Sequence, residues 1–181
     1  MLYYISPNKA TNIGAVNELA SGIQERLAKK FDSVPGKTRG TTVRVYAHTF
    51  LWELEDKILP TMLRNDYPTI LVVEGEIAPT VIDLIQKKNT PPLVLVLLNA
   101  KNPSRLVFDP KIQKIINMFG IDRSPSPEIN VQDEKREFNI GIKGMTDVNL
   151  FLSQGIKKFT QDLLYAALWD AISANKVQYG V

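Results

Sequence analysis

The chain contains no cysteine. Disulfide bonds, thiolate metal sites and thiol nucleophiles are therefore excluded from its chemistry. Histidine is nearly as scarce, with His48 alone, so a zinc site built on imidazole and thiolate ligands has no donor set. No apolar run is long enough to span a bilayer. Met1 leads straight into Leu2-Tyr3-Tyr4-Ile5 with no basic segment ahead of it. No secretory leader is expected, and a cytoplasmic or virion location is.

Charge of one sign is also missing. The formal net charge is +3, and no run reaches five like charges. That excludes a basic arm of the kind that grips nucleic acid. The phosphate-binding signatures are absent too. Asn8 to Gly14 (NKATNIG) has a single glycine and no Gly-Lys-Ser/Thr ending, so neither a P-loop nor a dinucleotide fingerprint fits. There is no GxSxG elbow, HExxH pair or calcium loop. Neither a cofactor nor a bound metal is expected.

What is present is an ordinary globular composition, 44% hydrophobic and 23% charged over 181 residues. It fits a single α/β domain, with a β-α-β core over residues 1–108 and an extension over 109–181. Thr69 to Val73 and Leu93 to Leu98 are apolar runs with no polar alternation, the mark of strands buried on both faces. Between them, Val81, Ile82 and Ile85 share one helix face, and Pro79 suits the first helical turn. Leu2 to Ile5 reads as a first strand. Ile13, Val16, Ala20, Ile23 and Leu27 follow at helical spacing, with Thr11 or Asn12 as the cap.

Thr41 to Ala47 alternates as a half-exposed strand, and a second helix carries Leu51, Leu54, Ile58 and Met62, kinked or broken just before Pro60. The repeated strand-helix order predicts mostly parallel strands in a three-layer-like α/β core. Beyond Asn99 the pattern changes. Pro110 opens a predicted short helix through Ile112, Ile115, Ile116 and Phe119. Ile129 and Val131, then Phe138, Ile140 and Ile142, alternate on either side of Gln132 to Lys135, which predicts an antiparallel hairpin. A final helix of roughly 28 residues, about 40 Å long, would carry Val148, Leu152, Ile156, Phe159, Leu163 and Ala167 on its main stripe. Leu164, Leu168 and Ile172 widen that stripe.

Chemistry-bearing residues gather at predicted strand ends. Asn8, Lys9, Thr11 and Asn12 follow the first strand, Glu74 and Glu76 the third, and Asn99 and Lys101 the fourth. In a doubly wound sheet these face one ligand crevice; equally, polar residues cap strand ends in any α/β protein. His48 sits at a strand-helix junction, where a general base or a plain cap residue would both fit. Phe151, Tyr165, Trp169 and Ile172 give the final helix an aromatic and apolar character suited to a protein contact.

Two family resemblances follow from these patterns. Leu2 to Val107, through TILVVEGEIAPTVIDLIQ…PPLVLVLLNAKNPSRLV, is similar to the first lobe of periplasmic-binding-type substrate receptors. That likeness implies a crevice for a small ligand, although residues 110–181 are too short for a second closing lobe. The predicted hairpin and long helix resemble tail-terminator and neck subunits of phage particles, which implies ring assembly without chemistry. The leading expectation is a non-catalytic subunit that assembles with itself or with other proteins. The alternative is a small-molecule or nucleotide-binding domain using the strand-end crevice.

Overall fold

Runs of residues with no polar alternation need cover on both sides, and the sheet supplies it. The computed structural model describes residues 2–6, 13–32, 53–63, 69–122, 127–145 and 154–174. Strands β1 (Leu2–Ile5), β2 (Ile70–Glu74), β3 (Val94–Leu98), β4 (Lys114–Gly120) and β5 (Glu137–Ile142) lie in sequence order, and every neighbouring pair is parallel. Every residue of β2 and β3 is buried. In register, Ile5 lies beside Val73, Glu74 beside Leu98, and Leu98 beside Met118. The carboxyl ends of the strands therefore share one edge.

Helices cover both faces. On one, Leu19 and Ile23 of α1 (Ile13–Asp32) and Leu164, Leu168 and Ile172 of α4 (Gln154–Ala174) pack against Tyr4, Val72, Val96 and Met118. On the other, Val81, Ile82 and Ile85 of α3 (Ala78–Lys88) meet Leu71, Val73, Leu95 and Ile115. Leu54 and Ile58 join them there, from a π-turn (Leu54–Ile58) that precedes α2 (Leu59–Leu63). The π-turn ends just before Pro60, where a kink or break is expected. Proline has no N–H for the helical ladder and its ring crowds the preceding turn, so the helix widens there.

α1 and α4 lie side by side and run in the same direction. Glu18 pairs with Lys157 and Arg26 with Asp162, and the Arg26 guanidinium sits 5.7 Å from the Tyr165 ring centroid. Between these contacts the helices touch at Gly22, where an added Cβ would fall inside the Gln161 side chain. Asp170, near the end of α4, bonds Lys114 at the start of β4 at 2.6 Å. Both helices therefore run against the strands, and their amino ends lie on the carboxyl edge of the sheet.

Several expectations are corrected. The antiparallel hairpin does not form: β5 is parallel to β4, and 127–131 is not a strand. Alternation reports that one face of a segment is buried, and either strand direction satisfies it. Lys114–Gly120 is a strand where a helix was predicted. Its isoleucines fit helical spacing, yet the run is apolar on both sides of a pleat, with Ile115 and Ile116 buried on opposite faces. The final helix is present, and its described part, Gln154–Ala174, has 21 residues, about 31 Å at the usual rise; the expected stripe positions Val148 and Leu152 lie outside the described residues. Its buried stripe is Leu164, Leu168, Ala171 and Ile172, whereas Phe159 is 48% exposed. The expected strand at Thr41 to Ala47 lies outside the described residues.

Candidate functional site

The carboxyl edge brings three buried polar side chains into line: Ser6 at the end of β1, Glu74 at the end of β2 and Asn99 just past β3. A buried carboxylate is costly unless it is hydrogen-bonded. Tyr4 supplies such a bond, donating its phenol proton to Glu74 Oε2 at 2.8 Å. Tyr4 stands beside Val72 in register, on the same face as Glu74, so its ring reaches along the sheet to the carboxylate. Burial, then the Glu74 charge and the hydrogen bond, push the Tyr4 phenol far above its ordinary range. It stays a neutral donor.

The backbone turns sharply where these strands end. Gly75 has φ 69°, Asn99 φ 49° and Asn102 φ 50°, left-handed conformations that glycine and asparagine tolerate best. The Asn99 N–H donates to the Met118 carbonyl at 2.8 Å, and its Oδ1 accepts from the Gly120 N–H at 3.1 Å. Asn99 thus ties the end of β3 to β4. The Lys101 N–H reaches the Gly75 carbonyl at 3.4 Å and links the two turns. Glu76 lies in the short 3-10 turn Gly75–Ile77 and is exposed. The two glutamates of the Glu-Gly-Glu run therefore face different surroundings, one inside and one in solvent.

Asn8, Lys9, Thr11, Asn12, His48 and Phe151 lie outside the described residues. Of the α4 residues singled out, Tyr165 is half-buried beneath Arg26 and Trp169 is half-buried against the same core. Ile172 is wholly buried in that core. Tyr4 was not singled out from the sequence. Its one signal was parity, since Tyr4 and Glu74 share a face once β1 pairs with β2.

A second feature lies at the far side of the sheet, where α4 does not fully cover β5. A groove of about 620 Å³ opens there, lined by Phe138, Ile140, Leu163, Ala166 and Ala167, with Lys114 and Asp170 among its walls. Among the described residues, no group of three or more histidine, aspartate or glutamate side chains is placed to hold a metal ion. No described helix is long and apolar enough to cross a membrane. The chain matches no protein-family model, no curated protein and no solved structure.

Proposed function

We propose that the protein binds a small polar molecule at the carboxyl edge of its sheet, with Glu74 as the acceptor that recognises it. The observation that carries this reading is Glu74 itself, a buried carboxylate at the end of an inner strand, held by a phenol from the neighbouring strand. In parallel sheets flanked by helices, ligands bind outside the carboxyl ends of the strands. A carboxylate there selects groups that donate hydrogen bonds, such as the hydroxyls of a sugar or nucleoside. The amino ends of α1 and α4 on this edge favour a ligand that also carries negative charge.

The test is a thermal-shift and calorimetric panel of sugars, nucleosides and nucleotides. A ligand at a hundred times its Kd adds about 2.7 kcal/mol, or roughly 5–10 °C in Tm for a chain of this size. Glu74→Gln should abolish that shift while keeping the unliganded melting transition. A panel without any shift, or a shift that Glu74→Gln leaves intact, overturns the reading.

A second reading, assembly through protein contacts, is favoured by the open flank of β5 and the groove beside it. Light scattering tests it through the particle mass in solution.

A further inference from the structure

β5 ends the strand order, and its ladder shows which backbone groups are already used. The Arg136 carbonyl accepts from the Ile115 N–H at 2.8 Å, and the Ile142 carbonyl accepts from the Ile121 N–H at 3.3 Å. Bonding residues alternate along a parallel pair. Arg136, Phe138, Ile140 and Ile142 therefore turn their backbone groups toward β4, and Asn139, Gly141 and Lys143 turn theirs away from the sheet. No described strand lies beyond them. Phe138 to Ile142 include no proline or charged residue, the types that commonly guard an edge, and the charged Glu137 and Lys143 stand only at its two ends. On the face shared with α4, Phe138 is 36% exposed, and Val131, where the 127–131 crossing ends, lines the same groove and is 40% exposed.

We propose that β5 pairs antiparallel with β5 of a second copy of this chain, about a two-fold axis at Ile140, so that two sheets join edge to edge. This rests on the assembly reading above and names its partner and its contact. In that register Ile140 faces its own counterpart, Phe138 faces Ile142, and Asn139 faces Gly141. Apolar side chains meet apolar ones on the α4 face, and the outward groups of Asn139 and Gly141 form closely bonded pairs. Ala166 and Ala167 keep the groove walls low enough to admit side chains from the other copy.

Charge selects the direction. Asp133, Glu134 and Glu137 against Lys135 and Arg136 leave one negative charge at the start of β5. Just past its end the edge chain itself contributes Lys143, while Asp122 of the β4 turn is engaged by the Gly144 N–H at 3.3 Å. Antiparallel pairing sets each negative end against a lysine. Parallel pairing would set like against like, which is destabilising across a strand pair.

The experiment combines light scattering with amide hydrogen exchange followed by NMR over a dilution series. The expected result is twice the chain mass, with the Asn139 and Gly141 amides protected alongside those of Phe138 and Ile140. Dilution should release the Asn139 and Gly141 amides alone. Phe138→Lys should raise the dimer Kd about tenfold or more with the melting transition retained. If that variant fails to fold, Lys143→Glu at an exposed position carries the same test. A single-chain mass at every concentration overturns both the pairing and the assembly reading. A dimer whose Asn139 and Gly141 amides stay unprotected overturns the pairing alone.

Discussion

The Asn139 side chain holds the backbone of Ile129 from both sides: the Ile129 N–H donates to Oδ1, and Nδ2 donates to the Ile129 carbonyl, each at 2.9 Å. Asn117 extends the clasp, donating from Nδ2 to Asn139 Oδ1 at 2.9 Å and to the Pro127 carbonyl at 2.7 Å. Two amide side chains thus do for 127–131 what a neighbouring strand would otherwise do. They carry the crossing from β4 to β5 over the α3 face of the sheet, where Ile129 is buried.

Asn139→Ala should therefore cost about 1–3 kcal/mol, because it strands the Ile129 backbone groups and one Asn117 donor bond at once. Urea unfolding measures it. A loss no larger than that of an ordinary surface substitution would show that the clasp follows the crossing and does not hold it.

Tyr4 and Glu74 predict an alkaline signature. The unfolded chain releases the Tyr4 proton near the ordinary phenol value of 10.0, whereas the folded protein retains it to higher pH. Above about pH 10 the unfolded state binds fewer protons than the native state, so stability falls as pH rises. Below that value the contribution is complete. Tyr4→Phe should be less stable by about 1–3 kcal/mol at pH 8, since it leaves Glu74 without the phenol. The gap to the natural protein should then shrink by about 1.4 kcal/mol per pH unit above pH 10. A gap that stays constant from pH 8 to 11 rules this out.

On α4, burial separates residues that sequence pattern grouped together. Ile172→Ala should cost about 2–5 kcal/mol, as removal of a buried branched side chain does. Phe159→Ala, at an exposed position, should change stability by about 0.5 kcal/mol or less. Equal effects in chemical denaturation would mean that the helix is rotated from the orientation described.

Glu55 bonds Lys88 at 3.0 Å and joins the π-turn to α3. The Lys88 hydrogen bond and charge hold the Glu55 carboxyl below the usual glutamate value. The contact is present at neutral pH and is lost as the pH falls and the carboxylate protonates. Lys88→Met should raise the Glu55 pKa toward its ordinary value in an NMR titration, and an unchanged value would assign the shift elsewhere.

Much of this fold is legible in the sequence. The runs at 70–74 and 94–98 are apolar at consecutive positions, which two-sided burial requires, and Pro79 with Val81, Ile82 and Ile85 marks both the start and the inner face of α3. Glu74 could be placed at a strand end but not inside the protein. Its burial depends on Tyr4, 70 residues away in the chain. Lys114–Gly120 departs from the helical expectation because a short apolar run satisfies helical and strand periods alike.

Composition and local period by themselves determined the α/β class, the inner strands and the lack of thiol chemistry, because each depends on residue type or on neighbours a few positions apart. Tertiary structure alone decided the direction of β5, the buried side of α4 and the enclosure of Glu74. Those depend on which distant segments lie side by side, and a periodic pattern names the face that is covered without naming what covers it.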